Sequence, residues 1–194
     1  MNKLIFATNN LHKLQEIREI LSFCYTVHSL KDVNLTIDIP ETGETFKDNA
    51  LIKAETIFNL THENCFADDS GLSVNALQGK PGVKSARYAG EPSSDLNNRL
   101  KLLKEMQGKE DRSAAFYTTI CLVINTEKYF FEGKISGIIT REQRGDKGFG
   151  YDPVFIPDGY ERTFAEMEPE EKNAISHRAI AVNKMTTFLL QLKQ

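Results

Sequence analysis

The sequence predicts an α/β protein built on a mixed β-sheet. Helical-period and β-rich runs are interleaved along the chain. Two long β-rich runs are separated only by a short polar turn, which forces an antiparallel pair into the sheet. The 194 residues, 40% hydrophobic and 26% charged, suffice to bury a core without disulfides or structural metal.

Residues 4–7 form an apolar run ending in Thr8-Asn9-Asn10, a buried strand followed by a turn and a helix start. Leu14, Ile17 and Leu21 then recur at helical spacing, and residues 25–30 read as a second strand. The segment 32–43 carries Pro40 and Gly43 and reads as a loop. A second helix is expected to begin near Thr45, with Thr45 and Asp48 as a capping pair and Phe46, Ala50, Ala54, Ile57 and Phe58 on its apolar face. Residues 65–67 lead into Asp68-Asp69-Ser70-Gly71, and residues 72–74 resume as a strand. Residues 79–90 and 145–158 are rich in Gly and Pro and read as ordered loops. Between them lie a helix capped by Ser94, bearing Leu96, Leu100 and Leu103, and the hairpin of residues 114–125 and 129–140. Ser176 is expected to cap a last helix bearing Ala181, Met185, Phe188 and Leu192.

Neither a repeat nor a linker interrupts the chain, so residues 1–194 are expected to form one domain, or two lobes sharing a core. The net charge of −3 offers no global positive field for nucleic acid or an anionic membrane. Cys24, Cys65 and Cys121 are odd in number and form no CxxC pair, which suggests apolar filler in a reducing compartment. The opening apolar run is too short for a signal segment, and no later run could span a bilayer. A cytoplasmic protein is expected.

Several clusters could carry chemistry. Thr8, Asn9, Asn10, Leu11, His12 and Lys13 lie at a strand-to-helix junction, where free N–H groups and the dipole favour an anion. The pattern is not a Walker A loop, and taken alone a helix cap with a solvated lysine is the simpler account. Asn49 and Lys53 share a helix face, either a phosphate cradle or a polar surface. The adjacent carboxylates of Asp68 and Asp69 repel unless cations or a metal compensate. Mg²⁺ beside a second, water-activating carboxylate is one reading, and an Asp-Ser-Gly turn is the other. Phe149, Gly150, Tyr151 and Asp152 offer a purine-stacking loop or a loop anchored by its aromatics. Lys172, His177 and Arg178 are expected around a helix N-terminus, unfavourable for cations unless an anion or carbonyl-rich ligand is near. Residues 79–88 read as scaffold, with Arg87 able to reach a site.

Five ordered pieces, ATNNLHKLQEI (7–17), ETGETFKDNALIKA (41–54), ADDSGLSVNALQGKPGVKSARYAG (67–90), GFGYDPVFIPDGYERTFAEM (148–167) and EKNAISHRAIA (171–181), resemble the inosine/xanthosine triphosphate pyrophosphatase family. The resemblance covers essentially the whole chain. It implies an elongated mixed sheet with flanking helices, two lobes around a central nucleotide cleft, and a homodimer. It also implies Mg²⁺-dependent cleavage of the α–β phosphoanhydride of ITP, dITP and XTP. Carried onto matching positions, the segment Thr8, Asn9, Asn10, Leu11, His12 and Lys13 holds phosphates together with Lys53. Glu41 and Asp69 are the metal-side acids, Asp69 also the general base, and Asp68 supports the metal through its waters. Ser70 contacts substrate. Phe149, Gly150, Tyr151, Asp152, Lys172, His177 and Arg178 form the base pocket, where donors favour a 6-oxo purine over adenine. The competing readings are a pyrimidine nucleotide pyrophosphatase, a nucleotide-binding regulatory module without hydrolysis, and, least favoured by charge, a nucleic-acid-binding protein.

Overall fold

A computed structural model describes residues 2–21 and 25–192; Cys24 lies outside the described residues. The elements are β1 (Asn2–Phe6), α1 (Leu11–Leu21), β2 (Tyr25–Ser29), α2 (Phe46–Thr61), β3 (Cys65–Val74), α3 (Asp95–Glu105), β4 (Ser113–Ile124), β5 (Glu127–Ile139), β6 (Phe155–Pro157), α4 (Pro169–Ile175) and α5 (His177–Gln191). The sheet runs β2-β1-β3-β4-β5-β6. β1 is parallel to β2 and β3, whereas β5 and β6 are antiparallel, so the sheet is mixed. The predicted hairpin is β4–β5, closed by Asn125-Thr126 with positive φ at both residues, the geometry that matches strand twist in a two-residue turn.

The chain divides into two compact units, one of Met1–Asp69, Thr118–Gly133 and Arg178–Gln194, the other of Ser70–Tyr117 and Lys134–His177. In the first unit, strand alternation sorts the core. Phe66 of β3 lies in one buried cluster with Leu14 and Ile17 of α1 and Ala181 and Met185 of α5. Its neighbours Cys65 and Ala67 lie in another, with Ala50, Ala54 and Ile57 of α2. Since successive strand residues point to opposite faces, Asp68 is directed to the α1 and α5 side and Asp69 to the α2 side. Phe6 and Phe66, level with each other on β1 and β3, stack with centroids 4.6 Å apart. Each such fully buried side chain contributes about 1.5–3 kcal/mol relative to exposure.

Helix α2 begins as its sequence dictates. The Asp48 N–H donates to Thr45 Oγ1 at 3.1 Å, and the Thr45 N–H donates back to the Asp48 carboxylate at 3.1 Å. This reciprocal box satisfies two N-terminal donors.

In the second unit Leu72, Val74, Leu102, Phe116, Phe155 and Phe164 share one core. Phe116 meets Phe155 edge-on at 4.8 Å, and Phe155 lies 5.4 Å from Phe164.

Five local expectations change. The segment Asp68-Asp69-Ser70-Gly71 is not a turn: β3 runs unbroken through it. The 145–158 loop contains the short strand β6 and a 3-10 turn at Asp152–Val154, and Gly82–Arg87 is likewise 3-10. Leu96 and Leu100 are half-exposed, while Asn98 and Leu102 form the buried face of α3. Ser176 separates two helices, α4 and α5, instead of only preceding one, so Lys172 sits in the last turn of α4, where a cation favours the dipole.

Candidate active site

Helix α1 starts with Asn10 as its cap: Asn10 Oδ1 accepts the Lys13 N–H at 3.0 Å, and Thr8 Oγ1 accepts the Asn10 N–H at 3.1 Å. Asn9 Nδ2 donates to the Ile37 carbonyl at 2.9 Å, tying this turn to the long loop. Leu11 is 76% exposed, so it does not anchor the helix by burial.

Lys13 is not solvated. Its ammonium lies 2.9 Å from Asp68 Oδ2, and Arg178 Nε is 3.5 Å from the same oxygen. Arg178, 2% exposed, also holds Glu16 at 2.5 Å. Burial opposes the charge on Asp68, but Lys13, Arg178 and Lys53 outweigh it and hold the carboxyl group far below the usual carboxylate range. The Lys13 pKa is pulled down by burial, with Lys53 and Arg178 adding to that against the attraction of Asp68.

Asp69 is held from the other face. Asn49 Nδ2 donates to Asp69 Oδ2 at 3.0 Å, and Lys53 Nζ stands 3.9 Å from Asp69 Oδ1. Asn49 and Lys53 are one turn apart on α2, so one helix face addresses both oxygens. Lys53 also donates to Glu41 Oε1 at 2.6 Å. Burial pushes the Asp69 carboxyl group up, and Glu41 reinforces it against Lys53, Lys13 and the Asn49 hydrogen bond. Burial works against the charge on Lys53, yet Asp68, Asp69 and Glu41 together raise its pKa.

Among the described residues no three or more His, Cys, Asp or Glu side chains converge as a metal cage. Glu41 and Asp69 do face one cation, the Lys53 ammonium. Two carboxylates of this kind suit a hard divalent ion that draws its other ligands from water and phosphate.

The second unit holds another cluster. Asp152 Oδ2 accepts the Phe149 N–H at 2.9 Å and the Lys172 ammonium at 2.7 Å. Lys172 Nζ stands 4.8 Å from the centre of the half-buried Phe149 ring. A Cβ on Gly148, whose φ is +72°, would meet Asp152 Oδ2 at 2.1 Å, so only glycine lets the loop close. From α3, Asp95 accepts the Gly150 N–H at 2.7 Å and Arg99 donates to the Gly150 carbonyl at 2.8 Å. Tyr151 is buried, and its hydroxyl donates to the Ser85 carbonyl at 2.9 Å, so this aromatic anchors the loop. His177 is buried and stacks on Phe116 at 4.7 Å. Ser70 is partly exposed, next to Asp69 in β3.

Glu16, Asp95 and Arg99 belong to these clusters without lying in any of the candidate motifs. Glu16 is three residues from Lys13, and Arg99 is four from Asp95, so helical spacing marked both pairs, although neither partner across the chain was legible.

The Ham1 family model matches residues 4–188. The chain belongs to the Ham1 family. It is 53% identical to a dITP/XTP pyrophosphatase of Porphyromonas gingivalis, covering 100% of both chains. It is 45% identical to one of Bacillus subtilis over 97% of this chain and 98% of that protein. Among solved Ham1 structures, the Coxiella burnetii protein superposes with a TM-score of 0.90 at 40% identity, covering 98% of this chain and 100% of that one. The Staphylococcus aureus Ham1 protein gives 0.89 at 38% identity, covering 98% and 99%.

Proposed function

We propose that this chain is a pyrophosphatase for deaminated purine nucleoside triphosphates, converting ITP, dITP and XTP to the monophosphate and pyrophosphate with Mg²⁺. The observation that carries the reading is Asp69, held between Asn49 and Lys53 beside Glu41, in a chain similar over its full length to dITP/XTP pyrophosphatases.

The residues of the first unit are assigned to the phosphates. The N–H groups opening α1, with Thr8, Asn10 and Lys13, suit an anion, and the buried Lys53 adds a second ammonium. Glu41 and Asp69 would hold Mg²⁺, which supplies charge neutralisation for the triphosphate and polarises water. Asp69, its pKa raised by burial, takes the proton from the attacking water. Lys13 and Lys53 offset the charge of the departing pyrophosphate, so positioning and electrostatics supply most of the rate. Asp68 holds Lys13 in place.

The Phe149 face is assigned to the purine, with Asp152 and Lys172 fixing the loop. Donors at Lys172 and His177 favour a 6-oxo group and leave the adenine 6-amino group facing a donor, whereas Arg178 stands with Asp68 and Glu16. Homodimerisation and a cytoplasmic location belong to the same proposal, on the strength of the sequence resemblance; no described helix is long and apolar enough to cross a membrane.

The test is steady-state hydrolysis of ITP, dITP, XTP, GTP, ATP and dTTP with Mg²⁺, reading pyrophosphate and orthophosphate separately. Pyrophosphate from the first three is expected. Tight ITP binding without product favours a regulatory module, and preference for dTTP favours a pyrimidine enzyme.

A further inference from the structure

Asn49 is 1% exposed and uses both ends of its side-chain amide. Its Nδ2 donates to Asp69 Oδ2 at 3.0 Å, and its Oδ1 accepts the Gly43 N–H at 2.8 Å. The cap of α2 is made by Thr45 and Asp48, so Asn49 is not needed for helix initiation. Gly43 lies two residues beyond Glu41, in the same loop. A Cβ on Gly43 would stand 2.5 Å from Asp48 Cβ and 2.8 Å from Asn49 Oδ1, so the loop backbone reaches the amide only because residue 43 is glycine.

We propose that Asn49 is a positioning residue that fixes the Asp69 carboxylate and the Glu41 loop relative to each other. The inference rests on the function proposed above for its catalytic consequence, but the latch itself is a structural statement. Only a carboxamide has a donor at one end and an acceptor at the other on so short a stem. Aspartate would set a second carboxylate oxygen against Asp69, and alanine would leave both the Asp69 oxygen and the Gly43 N–H without this partner. Asn49 takes no proton and forms no bond in the reaction; it acts through Asp69 and the loop.

The experiment compares wild type with Asn49→Ala and Asn49→Asp for ITP turnover with Mg²⁺, for thermal stability, and for exchange of the Gly43 amide. A fall in kcat of about 10- to 100-fold is expected, with KM changed by no more than about twofold. In an Asp69→Asn background the Asn49→Ala change should have little further effect on kcat, because the two act as one unit. The Gly43 amide should be protected in wild type and exchange freely in Asn49→Ala. Gly43→Ala, whose added Cβ would crowd Asp48 Cβ and Asn49 Oδ1 and push the loop off the amide, should lower kcat in the same way. Wild-type kcat in both Asn49 variants overturns the positioning role, as does an equal further loss in the Asp69→Asn background. Should wild type release no pyrophosphate from ITP, dITP or XTP, the functional reading falls. Gly43 exchange then decides the latch alone: unchanged protection in Asn49→Ala overturns it, and lost protection supports it.

Discussion

Asp68 and Asp69 are neighbours in one strand, yet their surroundings push their carboxyl groups in opposite directions. Asp68 meets Lys13 and Arg178 on one face and is held far below the usual range; Asp69 meets Asn49 and Lys53 on the other and is pushed up by burial. The cause is the two-residue period of β3, which sends the pair to different helices. Carboxylates driven apart in this way take different roles, one a fixed charge and the other a proton acceptor.

For Asp69→Asn, kcat for pyrophosphate release should fall by about 10²- to 10⁴-fold. The new amide keeps an oxygen for the Asn49 donor, so the melting temperature should change little. A calorimetric scan alongside the kinetics checks both, and near wild-type turnover removes Asp69 from the base role.

Asp68→Ala should instead damage stability. It leaves the partly buried Lys13 and the buried Arg178 without their shared carboxylate, a loss of about 3–5 kcal/mol. The pH dependence follows the same sign. The native pKa of Asp68 is depressed, so its contribution is present above the unfolded value of ~3.9 and is lost as pH falls below it. Urea melts of wild type between pH 3 and 7 should show this acid-side loss, and it should be smaller in Asp68→Asn.

Much of this arrangement was legible in the sequence. The strand before Thr8, the Thr45 and Asp48 cap and the β4–β5 hairpin rest on local signals and stand as expected. Asp-Asp-Ser-Gly carries turn chemistry locally, but buried partners from α1, α2 and α5 keep it extended, and those partners are distant in sequence. Lys13 offered no sign of its ion pair, since its compensating acid lies in another element. Strand β6 is three residues long inside a Gly- and Pro-rich stretch and exists through pairing with β5, which no local pattern records.

Gly148→Ala should weaken purine binding. The added methyl would collide with the Asp152 carboxylate and strain a residue at φ +72°. KM for ITP should rise while kcat falls less, measured by initial rates over a substrate series; an unchanged KM argues against a role for the loop in binding.

Cys65 and Cys121 should resist modification. Both thiols are buried, and burial pushes each up to about 12. Their native pKa values exceed the unfolded ~8.5, so stability is complete below that pH and declines as pH rises toward 12. Mass-spectrometric mapping of iodoacetamide adducts at pH 8 should find these two cysteines unlabelled in the native protein and labelled in denaturant.

The most direct measurement is product identity from ITP hydrolysis by the wild-type chain with Mg²⁺, resolved by phosphorus NMR. IMP and pyrophosphate in equal amounts, with far slower turnover of ATP, are expected from a phosphate site built on Lys13, Lys53, Glu41 and Asp69. IDP and orthophosphate, or ATP consumed as fast as ITP, would contradict it.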